Sequence, residues 1–249
     1  MLNEYQLNTP LSPQSSNPKI SIIIVTYNAA NTLQKCLDSI FNQKWPNIET
    51  INIDGRSSDD TVKLIERNSS RISYWKSEKD AGIYDAMNKA LEHVNGHWVY
   101  FMGADDELLP AFSDMALELV DPNAIYYANV FAENEKRLGK LTQYQFAKFG
   151  PYHQAMIYPR AVFEKYKFDT RYKISADFAL TLKLCGDKNF YFVYKDHVIA
   201  NFNQKGISGN QIDSRFQADK ARLILKNFGL KMWIRYKIRR LKQSNNPRA

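Results

Sequence analysis

The chain has 249 residues, 44% hydrophobic and 24% charged, the composition of a soluble globular protein with core enough to be stable without disulfides. Two cysteines, Cys36 and Cys185, form no CxxC or Cys/His cluster, which argues against structural zinc and points to a reducing compartment. The net charge of +8 is a tail property: nine Lys or Arg and no acid lie between Lys220 and Lys242, and removing them leaves about −1.

Residues 1–18 are polar, with Pro10, Pro13 and Pro18, and read as a loose arm. They have neither the basic nor the apolar region of a secretory signal. No apolar run approaches the roughly 20 residues of a membrane-spanning helix, so a cytoplasmic location is expected. "KISIIIVTYN" holds a continuous apolar run of the kind buried on both faces of a parallel sheet. In the following "NTLQKCLDSIFNQ", Leu33, Cys36, Leu37, Ile40 and Phe41 share one helical face. "IETINID" reads as a strand and "SSDDTVKLIERN" as a helix opened by capping residues and acids. "ISYWKSEKD" reads as a short strand. "AGIYDAMNKALEHVNG" places Ile83, Met87, Ala90, Leu91 and Val94 on one face and Gly96 as a C-cap. "HWVYFMGADD" is the fourth strand.

This alternation predicts a parallel α/β sheet over residues 19–109, of the type that binds ligands at the carboxyl ends of its strands. Three of those ends are polar: Thr26 to Asn28, Asp54 with Gly55, and Ala104 to Glu107. Beyond Pro110 the alternation weakens. "AIYYANVF", "LTQYQFAKFG" and "FYFVYKDHVIANF" are aromatic strand candidates, and "DFALTLKLCG" is a helix. The expected divisions are an arm (1–18), a first, α/β half (19–110), a second half (111–213) and a basic helical tail (214–249).

Adjacent like charges at the end of a buried strand repel, so Asp105 and Asp106 ask for something positive. The plain reading is a turn or helix cap. The alternative is a divalent cation with oxygen ligands, bridged to a diphosphate. Asp54, before Gly55, reads either as turn chemistry or as a carboxylate accepting bonds from a nucleobase or ribose.

"SIIIVTYNAANTLQKCLDSI", "IDGRSSDDT", "EKDAGIYDAMNKAL" and "GADDELLP", in that order and spacing, resemble the family 2 glycosyltransferases: inverting, nucleotide-sugar-dependent enzymes of GT-A fold. "GPYHQAMIYPR" and "ISADFALTLKL" extend the likeness more loosely, toward bacterial members that build O-antigen, capsule or exopolysaccharide units. The resemblance implies that Thr26, Tyr27 and Asn28 line a nucleotide pocket and that Asp54 holds uracil, hence a UDP-sugar donor. Asp80, Asp85 and Asn88 would surround ribose and phosphate, with Gly82 admitting close backbone approach. Ala104 and Asp105 would belong to the DxD motif, Asp105 binding Mn²⁺ or Mg²⁺ with Asp106 near enough to share or replace it. Gly103 departs from that motif by replacing its first acid.

The same resemblance implies a catalytic base at the start of a second-half helix, and Asp177 fits. Its plain reading is a helix cap beside Ser175. His153 reads as a structural hydrogen-bonding residue or as a contact to sugar or pyrophosphate, and Lys205 as a cation for the departing UDP. The tail, with Leu223, Ile224, Leu230, Trp233, Ile234 and Ile238 among its cations, reads as a packed helix or as a dock for the anionic inner face of a cell membrane. A lipid-linked saccharide acceptor suits the second reading, and no nucleic-acid motif accompanies the charge. The rivals are a nucleotidyltransferase, which lacks its triphosphate loop here, and a non-catalytic basic membrane- or nucleic-acid-binding protein.

Overall fold

The computed structural model describes residues 17–133, 135–203 and 212–245. Most of the expected arm and Lys205 lie outside these residues. The apolar run after Lys19 forms β1 (Ile20–Thr26), the middle of a parallel unit built as expected from alternating elements. It continues through α1 (Leu33–Phe41), β2 (Ile48–Asp54), α2 (Thr61–Arg67), β3 (Tyr74–Ser77), α3 (Ile83–Ala90) and β4 (Trp98–Gly103). β2 and β4 flank β1, and β3 pairs with the far side of β2. Alternation sends Ile23 to one sheet face and Ile22 and Ile24 to the other. On the first face α3 supplies Met87 and Ala90; on the second α1 supplies Leu33, Cys36, Leu37 and Ile40. Two covered faces explain why β1 shows no polar-out alternation.

The chain continues with β5 (Glu107–Leu108), α4 (Ala111–Ala116), β6 (Ala124–Ala132), β7 (Glu135–Arg137), α5 (Gln143–Lys148), β8 (Met156–Pro159), α6 (Ala161–Lys165), α7 (Ala176–Cys185), β9 (Tyr191–Phe202) and α8 (Ser214–Asn245). Among the described residues one mixed sheet runs β3-β2-β1-β4-β8-β6-β9-β5, with β7 on β6. β8 lies antiparallel between β4 and β6, so the second half extends the sheet of the first.

Three local expectations are corrected. "LTQYQFAKFG" forms helix α5 rather than a strand. Thr142 and Gln145 close a capping box there, and helical spacing buries Tyr144 and Ala147 together. Gly96 is no C-cap: α3 ends at Ala90, and Gly96 donates its N–H to Ser21 Oγ and Glu49 Oε1, both 2.9 Å away. Ile83 is exposed, while Met87, Ala90, Leu91 and Val94 are buried.

α8 breaks at Gly229, whose φ of 79° interrupts the helical backbone. Its first part buries Phe216, Leu223 and Ile224 against α7 and the sheet. It also buries Lys220, whose Nζ donates to Lys148 O at 2.7 Å and lies 4.7 Å from the centre of the Phe178 ring. Burial, with Arg240 and Lys148 nearby, brings this lysine from 10.5 down to about 8. Below pH 8 both states carry the proton, and the folded state bears the whole cost of burying it. Between 8 and 10.5 the unfolded chain binds more proton than the folded one, so stability rises with pH. Lys220→Met is therefore expected to stabilise the fold at pH 7 by on the order of 2 kcal/mol. Melting curves of both proteins should show the gain at pH 7 and its decline toward pH 10.5.

Candidate active site

Thr26 and Asp54 stand opposite each other at the ends of β1 and β2. Asp54 is fully buried and accepts from Thr26 Oγ1 (3.0 Å), Ser57 Oγ (2.5 Å), Ser57 N–H (2.9 Å) and Ser77 Oγ (2.6 Å). A carboxylate has about four lone-pair positions, and these four donors fill them. Through them Asp54 ties the loops after β1, β2 and β3 to one another. Asn28, at φ 50°, strengthens the tie by donating its N–H to Ser57 Oγ and accepting from Ser58 N–H. Tyr27 projects from this loop, 68% exposed.

Asp80 accepts from Gly82 N–H at 2.8 Å, and its other oxygen lies where a Cβ on Gly55 would fall. Asp80 therefore adjoins the β2 end. Gly82 has open space where a Cβ would stand, and its φ of 119° is one that favours glycine. Asp85 and Asn88 have protein partners of their own. Asp85 accepts from Ala81 N–H and pairs with Lys89, which together hold it below the usual aspartate range. Asn88 exchanges two 2.9 Å bonds with the backbone of Phe168, latching α3 to the segment before α7.

The turn after β4 separates its two acids. Asp106 is 1% exposed and accepts from Gly103 N–H (3.0 Å), Gln154 Nε2 (2.9 Å) and Asn203 N–H (2.9 Å). Burial pushes its carboxyl up, and the Asn203 and Gln154 donors pull it back. Asp105 is half-exposed and makes no hydrogen bond or ion pair among the described residues. Asp105 is thus the acid available to a ligand, and Asp106 is a buried brace. Both fold back over Gly103: a Cβ there would lie 2.6 Å from Asp106 Oδ2 and 3.0 Å from Asp105 Oδ1. The absent first acid of the motif is a spatial requirement. Ala104 turns into the core beneath.

Asp177 begins α7 and is largely enclosed. It accepts from Tyr84 Oη at 2.8 Å, while His153 Nδ1 lies 3.3 Å from its second oxygen. Burial opposes ionisation, but His153 and Tyr84 outweigh it and hold the carboxyl below its usual range. An ionised Asp177 only accepts, so His153 presents Nδ1–H to it. Asp213 sets the approach to this helix by accepting from Ile174 and Ser175 N–H. Tyr84, Gln154 and Asn203 escaped the sequence reading. Tyr84 carried a signal only as a polar tip on an apolar helix face, and Gln154 only as the neighbour of His153.

Asp105, Asp106, Gln154, His153, Asp177 and Tyr84 thus form one continuous set of contacts or chain neighbours. Among the described residues no three acids, thiols or imidazoles converge as a complete cation cage. A hard divalent ion bound through one or two carboxylates and completed by substrate phosphate oxygens fits this sparse oxygen set.

Residues 21–185 match the family model described as "Glycosyl transferase family 2". A "PGL/p-HBAD biosynthesis glycosyltransferase" of Mycobacterium bovis is 30% identical over 212 residues, 80% of this chain and 82% of that protein. The "GalNAc(5)-diNAcBac-PP-undecaprenol beta-1,3-glucosyltransferase" of Campylobacter jejuni is 34% identical over 128 residues, 49% of this chain and 41% of its own. The structure of S. aureus TarS 1-349 with UDP-GlcNAc superposes with a TM-score of 0.66 at 16% identity, over 84% of this chain and 67% of that one. This chain thus spans about two thirds of that fragment. The mannosyltransferase PcManGT of Pyrobaculum calidifontis, with GDP-Man and Mn²⁺, gives 0.60 at 18% identity, over 85% and 63%.

Gly103→Ala is expected to destabilise the fold by about 1–3 kcal/mol, because its Cβ meets the braced Asp106 carboxylate. Thermal unfolding measures the loss, and an unchanged melting temperature would contradict the brace.

Proposed function

We propose that this chain, which belongs to glycosyl transferase family 2 and is a glycosyltransferase of GT-A fold, moves a hexose or N-acetylhexosamine from a UDP-sugar to a saccharide acceptor with inversion. The observation that carries this is the pairing, at one end of the sheet, of an open carboxylate, Asp105, with a second carboxylate, Asp177, held ionised by two donors. Asp177 takes the proton of the acceptor hydroxyl as its oxygen attacks the anomeric carbon, and UDP leaves from the opposite face with the electrons of the broken C–O bond. One displacement needs no enzyme nucleophile. Asp105 would hold a divalent cation, Mn²⁺ or Mg²⁺, which supplies positive charge against the diphosphate. Tyr27 and the loop braced by Asp54 offer the nucleoside a surface. The UDP and UDP-GlcNAc complexes of TarS support a uridine donor, and the GDP-Man and Mn²⁺ of PcManGT support a sugar nucleotide with a divalent metal.

The name of the Campylobacter relative specifies a PP-undecaprenol glycan, which supports a lipid-linked acceptor. The tail agrees with that acceptor. Beyond Gly229, Tyr236 is buried and Met232 and Trp233 pack on the core, whereas Leu230, Ile234, Ile238 and Leu241 are 61%, 44%, 49% and 63% exposed. Their spacing of four, four and three puts them in one stripe, nearly opposite the packed face. Lys231, Arg235 and Arg239 follow one side of it, Lys237 and Arg240 the other. A second copy would set cations against cations, so an anionic bilayer surface is the complementary partner. Among the described residues no helix is long and apolar enough to cross a membrane.

With UDP-sugar and acceptor, UDP release should require Mn²⁺ or Mg²⁺ and stop on chelation. Asp177→Asn should lower kcat about 10²–10⁴-fold while keeping the thermal shift given by UDP. Pyrophosphate in place of UDP, or full activity in that variant, would sink the assignment. For the tail, Ile234→Glu with Ile238→Glu should abolish sedimentation with phosphatidylserine-containing vesicles and leave transfer to a soluble acceptor unchanged; undiminished sedimentation would refute the docking face.

A further inference from the structure

We propose that the short turn His153–Ala155 positions both halves of the reaction, His153 setting Asp177 and Gln154 setting the Gly103–Asp106 turn. The inference rests on Asp177 being the base. Two consecutive side chains reach in different directions: His153 Nδ1 to Asp177 Oδ2 at 3.3 Å, and Gln154 Nε2 to Asp106 Oδ2 at 2.9 Å. Gln154 is 4% exposed, so its amide is committed to that carboxylate inside the protein. Asp106 passes the constraint on, because the same oxygen accepts from Gly103 N–H and the other from Asn203 N–H. Asp105, one residue away, is therefore carried on a turn whose shape Gln154 helps to fix.

The turn itself has an anchor. Tyr100, fully buried in β4, donates its hydroxyl to Gln154 O at 2.7 Å. The turn leads directly into β8, which pairs with β4 through Tyr100 and Ile157. The strand that leads to Asp105 thus also holds the turn that reaches the base. Tyr84 gives Asp177 its second bond, from α3. The separation between base and metal-binding carboxylate is thereby set by one turn seated on one strand, and a misplacement of about 1 Å in such a pair costs on the order of 100-fold in rate.

The test uses the full chain, with melting curves to confirm folding. His153→Phe keeps a ring but removes the donor. It should lower kcat about 10- to 100-fold and leave donor KM and Mn²⁺ dependence in place. It should also move the acid limb of kcat/KM upward, because Asp177 then loses the His153 donor that holds its carboxyl down and keeps the neighbouring hydroxyls of Tyr84 and Tyr158. His153→Gln, which restores a donor, should recover most of the rate. Gln154→Met should raise the Mn²⁺ concentration for half-maximal rate and the donor KM with the acid limb unmoved. Gln154→Asn, an amide too short to keep the 2.9 Å bond to Asp106, replaces it if that variant does not fold. A wild-type kcat in His153→Phe, or the same uniform fall in kcat from both positions with limb and Mn²⁺ dependence unmoved, overturns the proposal. Asp177→Asn separates the two ideas: if it transfers normally, the base assignment fails; if it is inactive while His153→Phe is normal, only the positioning role fails.

Discussion

Two neighbouring carboxylates cannot both be buried without partners, and the arrangement at the end of β4 follows from that constraint. Asp106 meets it with three donors drawn from its own turn, from Gln154 and from Asn203. Once Asp106 is satisfied within the protein, Asp105 is left facing outward with its charge available. The glycine at 103, the glutamine at 154 and the chain path at 203 all serve this asymmetry. An acid at 103 would have to occupy space that Asp106 already fills.

The same economy governs the ends of β1, β2 and β3. Asp54 looks like a ligand-binding acid in "NIDGRSSDDT", yet four protein donors surround it. It fastens three loops to one another and so shapes the surface those loops present. Asp85 and Asn88 likewise make bonds within the protein that anchor α3 and its flanking loops.

Periodicity made the first half legible because β1, β2 and β4 are covered on both faces and each helix on one. The sheet, its order of elements and the polar strand ends follow from residues 19–109. The second half was harder to read. Its strands are short or bulged, and "LTQYQFAKFG" carries alternating aromatics that resemble a strand until the Thr142 capping box is weighed. Within the site, Asp105 and Asp177 stood out as acids at element ends. Tyr84, Gln154 and Asn203 did not, because their parts depend on partners tens of residues away, and Asn203 reaches Asp106 through a backbone N–H. A sequence pattern announces a charge more readily than the groups that hold it in place.

The insertion of β8 between β4 and β6 has a consequence for how the molecule comes into being. Until residue 159 has been made, the outer edge of β4 has no strand to cover it, although the parallel unit beside it is already complete in sequence. An open edge of that length is a template for unwanted pairing with other chains. During synthesis the nascent protein must carry this edge through about fifty further residues. The strand that finally seals it brings His153 and Gln154 with it, so the edge is closed and the two carboxylates are brought into register by the same stretch of chain.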